Sequence, residues 1–146
     1  MITDKIMANF QFIESHVIEF SIENNSIRTQ EKIINVDIDM DYDIINCIEV
    51  EDRFLGVLHF IVNLSAKIED NEAFKIHLTM EGKFKGFKET LLMSNFKEML
   101  EVNGTATLSQ ISRAYITSVT SLSGMIPINL PMVNIYEMKK YKEITK

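Results

Sequence analysis

Residues 112–135 have the sequence SRAYITSVTSLSGMIPINLPMVNI, and this stretch decides the fold. Its first half is rich in Ser and Thr and predicts a helix that ends at Gly124, because glycine readily takes the left-handed backbone of a C-terminal cap. Pro127 and Pro131 predict that the chain then runs extended. Asn134, followed three residues later by a glutamate, predicts the start of another helix. A helix of small hydroxyl residues with an apolar extended segment behind it is typical of a protein that packs against copies of itself.

The residues before this stretch predict one further helix and the start of the Ser/Thr-rich one. Apolar residues recur at helical spacing from Leu91 to Leu100, and Asn103 with Gly104 predicts the end of that helix. Thr107 and a glutamine three residues on match a capping box, which predicts a new helix N-terminus. The apolar stripe of this helix is predicted to comprise Leu108, Ile111, Tyr115, Val119 and Leu122.

Two segments nearer the N-terminus alternate strictly between apolar and polar residues, which is the period of a half-buried strand. In the first, Ile18, Phe20 and Ile22 share one face, and two glutamates and a serine share the other. In the second, apolar residues from Ile34 to Ile44 alternate with Asn35 and a row of four aspartates, Asp37, Asp39, Asp41 and Asp43. Such regular alternation favours antiparallel pairing with one face in water.

Two later segments predict a long β-hairpin. Residues 53–68 are apolar on both faces, as expected of a central or covered strand. Residues 69–72 predict a polar turn, and residues 74–81 alternate again. Gly82 and Gly86 predict a short connection to the first helix.

Four strands followed by helices is the order of an α+β protein. We predict a four-stranded antiparallel sheet with the C-terminal helices packed on one face. The length of 146 residues is that of one domain with a sizeable core. Residues 1–9 are predicted to form an N-terminal tail and residues 10–146 a single domain.

Composition narrows the class of protein. The net charge of −6 argues against a nucleic-acid-binding surface. The single cysteine, Cys47, rules out an internal disulfide framework and a Cys-rich zinc site within one chain, and it fits a reducing cytoplasm. No apolar run reaches the length of a membrane span, and residues 1–9 lack the pattern of a signal peptide. We therefore expect a cytoplasmic protein that neither binds nucleic acid nor inserts into a membrane.

The stretch quoted first resembles the corresponding part of the bacterial export chaperone SecB. The matching elements, in order and at the right spacing, are Arg113 with the helix that follows it, Gly124, Pro127, Leu130, Pro131, Val133 and Asn134. Further matches fall at residues 10–11, 36–39, 73–74 and 82–84, so that the resemblance covers roughly residues 10–138.

Three departures mark a divergent relative of that family. Residues 109–111 are Ser-Gln-Ile where SecB proteins usually have Phe-Pro-Tyr. Met132 stands in place of a proline, and Ile135 in place of a phenylalanine. The resemblance therefore predicts the fold better than it predicts which proteins are bound.

The resemblance implies a homotetramer, a dimer of dimers with the long helices packed between two sheets. It implies a holdase chaperone rather than an enzyme, which keeps preproteins unfolded in apolar grooves without ATP. No catalytic residue, metal or cofactor is expected. Candidate contacts between subunits lie on the Ser/Thr-rich helix, at Arg113, Tyr115, Thr117 and Ser121.

Two apolar sets are candidates for lining the client groove. The first, on the third strand, comprises Leu55, Val57 and Ile61. The second, in the extended segment, comprises Ile126, Pro127 and Ile128. We expect client polypeptides to contact one or both sets.

In SecB-type proteins, acidic residues on the outer face of the first strand contact the zinc-bearing tail of the translocase motor ATPase, assisted by the fourth strand. The matching candidates for motor docking are Glu19, Glu23, Lys75 and His77. The family has an apolar and an acidic residue where this chain has Lys75 and His77. Because a positive charge would repel a basic tail, this change weakens the prediction of an export role.

Three alternative functions fit parts of the sequence. Some SecB-like proteins protect one dedicated client, the antitoxin of a toxin–antitoxin system, and the basic replacements on the fourth strand are compatible with that role. The aspartate row from Asp37 to Asp43 also suggests a metal-dependent hydrolase. Same-face neighbours on a strand lie about 7 Å apart, so one cation would reach only two of these aspartates. A small-ligand carrier would require an enclosed pocket within one chain.

Overall fold

The computed structural model describes residues 8–25, 35–68 and 70–145. Within these residues four antiparallel strands form one sheet: β1 (Phe10–Asn24), β2 (Asn35–Val50), β3 (Arg53–Ile68) and β4 (Asn71–Phe87). Their order is β1-β4-β3-β2, so the hairpin of β3 and β4 is central and β1 and β2 are the edges. Residues 1–7 of the predicted tail, residues 26–34, residue 69 of the predicted turn and residue 146 lie outside the described residues.

Helices follow the strands and pack on one face of the sheet, which we term the inner face. Helix α1 (Met93–Met99) passes through a π-helical turn (Leu100–Gly104) into α2 (Thr105–Leu122). A strap, residues 125–134, then leads to α3 (Ile135–Ile144). The predicted α+β fold is confirmed. No helix in the described part of the chain is both long enough and apolar enough to cross a membrane.

The inner face of the sheet is apolar because every second residue of β3 and β4 points toward the helices. Along β3, buried residues alternate with half-buried or exposed ones, as the period of two predicts. The core joins the strand residues Leu58, Phe60, Val62, Leu64, Ile76 and Leu78 to the helix residues Leu100, Leu108 and Ile116. Full burial of each of these side chains contributes about 1.5–3 kcal/mol, which fixes the helices to this face.

The predicted connection at Gly82 and Gly86 is wrong, because both glycines lie inside β4, which continues to Phe87. A Cβ atom on Gly86 would lie 2.5 Å from Cδ1 of Phe96, and one on Gly82 would lie 2.6 Å from Cδ2 of Leu108. The missing side chains therefore let the helices come close to the strand.

A β-bulge in β1 changes which residues face inward. The register with β4 shifts between Val17 and Glu19. As a result Val17 packs against the core and Ile18 is exposed, so the predicted inward position of Ile18 is wrong. Phe20 and Ile22, beyond the bulge, face the core as predicted.

The predicted helix break at Asn103 and Gly104 is also wrong. Gly104 has φ −62° and ψ −47°, which is ordinary right-handed helical backbone. A Cβ atom there would lie 3.2 Å from Cδ2 of Leu58, so this glycine brings the helix close to β3. Thr107 is no N-cap, because its hydroxyl donates to the carbonyl of Asn103 at 2.9 Å.

The buried face of α2 is more polar than predicted. The buried residues of this helix are Thr105, Leu108, Ser109, Ser112, Ile116 and Thr120. Leu122, predicted on the apolar stripe, is 86 % exposed. The hydroxyl of Thr120 donates to the carbonyl of Ile116 at 2.8 Å and accepts from the N–H of Ile128 at 3.0 Å. Hydroxyl groups on this helix thereby hold the strap.

The predicted ends of α2 and start of α3 are confirmed. Gly124 has a φ of 77°, the left-handed conformation expected just after the helix. Oδ1 of Asn134 accepts a hydrogen bond from the N–H of Glu137 at 3.2 Å, which makes Asn134 the N-cap of α3.

Replacing Gly86 with alanine should lower the free energy of unfolding by about 1–3 kcal/mol, because the added methyl group overlaps the buried ring of Phe96. Chemical denaturation followed by circular dichroism measures the loss. The control is Lys85→Ala, at the neighbouring outer-face position, which should change stability by less than about 0.5 kcal/mol. A Gly86→Ala variant as stable as the parent protein would contradict the close approach of α1.

Candidate functional site

An open groove lies between β2 and α3. Its volume is about 1090 Å³. Its walls are residues 39–44 of β2, residues 132–134 of the strap and residues 137–145, together with Glu101 of the π-helical turn. Tyr141 and Ile144 on its α3 side are exposed to solvent. The groove is therefore open, unlike the enclosed pocket that a small-ligand carrier requires.

The groove exists because β2 is an edge strand that the helices cover only in part. Its inner-face residues Val36, Ile38 and Ile44 are 39 %, 40 % and 39 % exposed, whereas inner-face residues of β3 are buried. Within the described ranges, β2 pairs with β3 alone. Apolar side chains therefore lie beside a strand edge that pairs with no second strand among the described residues.

Tyr42 connects β2 to the π-helical turn. The residue is buried, and its hydroxyl donates to Oε2 of Glu101 at 3.1 Å. Burial of the phenol, and then the negative charge of Glu101, raise the pKa of Tyr42 above its ordinary value. The hydroxyl therefore remains protonated and continues to donate.

Lys142 attaches α3 to the edge of the sheet. Its Nζ lies 3.0 Å from Oδ1 of Asp41 and 3.2 Å from Oδ1 of Asp43. The same atom lies 5.0 Å from the centre of the Tyr42 ring, a cation–π distance. Burial opposes the charge of this lysine, but its hydrogen bonds to the two aspartates outweigh burial, so the pKa of Lys142 is raised.

Apolar packing fixes mainly the N-terminal half of α3. Ile135 is buried, and Met138 packs partly against the core. Farther along, Nζ of Lys139 lies 3.3 Å from Oε1 of Glu101. Ion pairs at partly exposed positions stabilise a structure only weakly, so the C-terminal half of α3 is held less firmly than its N-terminal half.

The groove contains acidic side chains, but they form no metal-binding group among the described residues. Within the described parts of the chain, no three His, Cys, Asp or Glu side chains lie close enough together to hold a metal ion. Asp41 and Asp43 already bind the ammonium group of Lys142. What the groove offers is apolar surface, a free strand edge and a few charges.

The four predicted motor-docking residues lie together on the outer face, across β1 and β4. Glu23 and Lys75 are partners in the strand register. Oε2 of Glu19 lies 3.8 Å from Nε2 of His77. Each glutamate therefore lies opposite a lysine or histidine side chain. Docking of a motor at this patch remains a prediction.

The two predicted groove sets lie on opposite faces of the sheet. On the outer face of β3 lie the half-buried Leu55, Val57 and Ile61. On the inner side lie the strap residues Ile126, Pro127 and Ile128, of which Ile128 packs against the core. Neither set borders the groove between β2 and α3. Client contact at either set remains a prediction.

Two of the predicted interface residues hold the strap within the chain. Nε of Arg113 donates to the carbonyl of Leu130 at 2.8 Å. The hydroxyl of Thr117 donates to the carbonyl of Ile128 at 2.9 Å. These contacts give both residues a role inside the protomer, and their role between subunits remains a prediction.

The other two predicted interface residues differ in their surroundings. The ring of Tyr115 packs edge-on against Phe20 of β1, with 5.3 Å between ring centres. Ser121 is exposed at the end of α2. A subunit contact at these positions is likewise a prediction.

Sequence reasoning missed the groove because its contacts join distant residues. Tyr42 and Glu101 are separated by 59 positions, and Lys142 and Asp41 by 101. The sequence did contain one signal for the contact between the second strand and the last helix. The strand carries a row of aspartates and the helix is basic, so their charges are complementary.

Comparison with known proteins supports the fold. No protein-family model matches the chain, and no curated protein does. Among solved structures, the SecB-like chaperone Rv1957 of Mycobacterium tuberculosis, in complex with a ChAD peptide from the Rv1956 HigA1 antitoxin, superimposes with a TM-score of 0.68. The two chains are 11 % identical, and the match covers 91 % of this chain and 96 % of that one.

A protein of unknown function from Streptococcus agalactiae also superimposes, with a TM-score of 0.47 and 13 % identity, over 84 % of this chain and 96 % of that one. The likeness to Rv1957 shows that this chain has the fold of a SecB-like protein. The resemblance found in the sequence is thereby confirmed at the level of the fold.

Replacing Tyr42 with phenylalanine should lower the free energy of unfolding by about 1.5 kcal/mol at neutral pH, because a hydrogen bond to a carboxylate is lost. The unfolded chain ionises this phenol near pH 10, whereas the raised pKa keeps it protonated in the folded protein. The contribution of Tyr42 is therefore present below about pH 10 and is lost as the pH rises beyond that value.

Urea unfolding of both proteins at neutral pH and above about pH 10 tests this expectation. The stability difference between the parent protein and Tyr42→Phe should shrink at the higher pH. Tyr136→Phe, which alters an exposed phenol on α3, is the matched control and should show no difference. A gap between parent and Tyr42→Phe that stays constant with pH would contradict the assigned role of burial.

Proposed function

We propose that this protein is an ATP-independent holdase chaperone that binds unfolded polypeptide segments in the groove between β2 and α3. The open groove carries the proposal: it has a volume of about 1090 Å³ and apolar side chains exposed on both walls. One wall is a free strand edge, and the other is a helix held partly by ion pairs. Such a groove accepts extended chains of varied sequence.

The binding energy comes from the apolar side chains of the client. Full burial of one large apolar side chain contributes about 1.5–3 kcal/mol, and this step consumes no nucleotide. Met132 and Met138 line the groove, and methionine adapts its shape to different partners. In an assembly with several grooves, weak sites along one client reinforce each other through effective concentration.

The first version of this function is protein export. Unfolded preproteins bind to a cytoplasmic homotetramer, a dimer of dimers joined through α2. The translocase motor ATPase docks on the outer-face patch of Glu19, Glu23, Lys75 and His77. A solution mass equal to that of one chain would contradict the tetramer.

The second version is a chaperone dedicated to one client, such as an antitoxin. Two observations favour it over export. The SecB-like chaperone Rv1957, which shares this fold, was solved with a peptide from an antitoxin. In this chain Lys75 faces Glu23 and His77 lies beside Glu19, and the positive charge of Lys75 opposes a basic motor tail. A toxin gene next to the gene for this chain would support the dedicated role.

A metal-dependent hydrolase is not proposed. Lys142 binds Asp41 and Asp43, and this leaves Asp37 and Asp39 as the other members of the row. Among the described residues, no third acidic, His or Cys ligand joins them in a metal-binding group.

Replacing Tyr141 with aspartate should weaken retention of an unfolded client about tenfold, because it places a charge on the apolar rim and removes an aromatic contact, a loss of about 1.4 kcal/mol. The measurement is light scattering from a chemically unfolded client diluted into the chaperone without nucleotide. Tyr136→Asp is the matched control. It lies on the same helix with similar exposure, 65 % against 71 %, but outside the groove, and should protect the client as the parent does.

The outer-face alternative is tested in the same assay with Leu55→Asp and Ile61→Asp. If these variants fold yet lose protection while Tyr141→Asp keeps it, clients bind on the outer face and the assignment to β2 and α3 is wrong. If the parent protein protects no unfolded client at all, the holdase function itself is wrong.

A further inference from the structure

We propose that His16, Glu81 and His59 form a proton-operated switch on the outer face of the sheet. In mildly acidic solution the two histidines are charged, bind Glu81 from both sides and fix the edge strand β1 to β4. As the pH rises, the histidines lose their charge and their contact with Glu81 weakens. This inference does not depend on the proposed function, because it concerns the face of the sheet opposite the groove.

The three side chains lie side by side on adjacent strands. In the register of the sheet, Glu81 of β4 is the partner of His16 on β1 and of His59 on β3. Nε2 of His59 lies 2.8 Å from Oε2 of Glu81, and Nε2 of His16 lies 3.6 Å from Oε1 of the same carboxylate. Each oxygen of Glu81 therefore has one imidazole beside it.

Glu81 is a carboxylate without a permanent positive partner. Its side chain is 15 % exposed, so little water surrounds it. Among the described residues its ion-pair partners are the two histidines, and Lys83, the next outer-face residue of β4, binds Glu14 at 3.2 Å instead. A carboxylate shielded from water is stabilised by a nearby positive charge. Histidine supplies that charge only after it takes up a proton, which ordinarily happens between about pH 5 and pH 8.

The surroundings of His59 place a second carboxylate on its other side. Asp43 of β2 is the register partner of His59 on the side away from β4. Oδ1 of Asp43 also lies 3.2 Å from Nζ of Lys142 on α3. Val57 and Ile61, the outer-face neighbours of His59 along β3, carry no charge. Two negative groups and one positive group therefore act on the imidazolium form of His59.

The other charged groups near His16 already have partners. Along β1 they are Glu14, which binds Lys83, and Glu19, whose Oε2 lies 3.8 Å from Nε2 of His77. His16 is therefore the residue in this part of β1 whose charge changes near neutral pH.

The contact of His16 with Glu81 falls where the backbone pairing of β1 is least regular. The register between β1 and β4 shifts just before Glu14 and again just after Val17. Such irregularities disrupt the hydrogen bonds of the ladder locally. Residues 14–17 lie between the two shifts and rely in part on side-chain contacts with β4. Of those contacts, the one between His16 and Glu81 is controlled by a proton.

The first test is Glu81→Gln, which keeps a hydrogen-bond acceptor beside both histidines and removes the charge. Urea unfolding compares this variant with the parent protein at about pH 5.5 and about pH 8. Charge-assisted hydrogen bonds are about twice as strong as neutral ones, so the variant should raise the equilibrium constant of unfolding roughly tenfold more at the lower pH. The stabilisation is present in acid and lost as the pH rises, because the unfolded histidines have no such partner.

Glu89→Gln is the matched control, since it removes the same charge from an exposed position in the turn after β4 and should act equally at both pH values. An effect of Glu81→Gln that is the same at both pH values would overturn the switch. In the double variant His16→Gln and His59→Gln, the added change Glu81→Gln should lose its pH dependence. A pH dependence that persists there would assign the charge effect to other groups and overturn the proposal.

Hydrogen exchange locates the effect on β1. The exchange rates of residues 14–17, each divided by the intrinsic rate at the same pH, should show stronger protection at the lower pH in the parent protein. His16→Gln should abolish that difference. Residues 20–22, beyond the second register shift, are the control and should change less. Protection of residues 14–17 that is independent of pH, or that changes equally along the whole strand, would overturn the role of this segment.

Discussion

The close approach of α1 and α2 to the sheet is the constraint on which the rest of this structure depends. A Cβ atom on Gly56 would lie 2.7 Å from Cδ2 of Leu100, and one on Gly86 would lie 2.5 Å from Cδ1 of Phe96. Glycines on the central strands therefore admit the helices directly above β3 and β4. Since those helices lie over the central strands, the inner face of the edge strand β2 is left to α3, and the groove is a consequence of that arrangement.

Two kinds of contact hold the two sides of the groove. Apolar packing fixes β2 through the buried ring of Tyr42, whereas ion pairs of Lys139 and Lys142 fix the C-terminal half of α3. Salt and competing charges weaken ion pairs but have little effect on a packed core. The strand side of the groove is therefore held by packing, and the far end of the helix side is held by ion pairs. The same helix carries the lysine that occupies part of the aspartate row.

The fold is retained at an identity of 11 % to a SecB-like chaperone because a core needs the right apolar volume at the right period rather than particular residues. Polar contacts have more freedom to change. In this chain Arg113 and Thr117 hold the strap to α2, and on the outer face Lys75 faces an acidic position of β1. The fold therefore tolerates wide sequence divergence, whereas these polar contacts are particular to this chain.

The sequence by itself determined what depends on near neighbours: the period of two in the strands, the helix end at Gly124 and the cap at Asn134. The sequence predicts a connection at Gly86 and a helix end at Gly104, whereas both glycines let a helix and the sheet approach closely. Glycine suits either role, and the local sequence does not distinguish the two. It also missed the bulge that turns Ile18 outward. The tertiary structure alone decided the groove, since Tyr42 and Glu101 come together across 59 positions through the packing of the helices on the sheet, which no local pattern encodes.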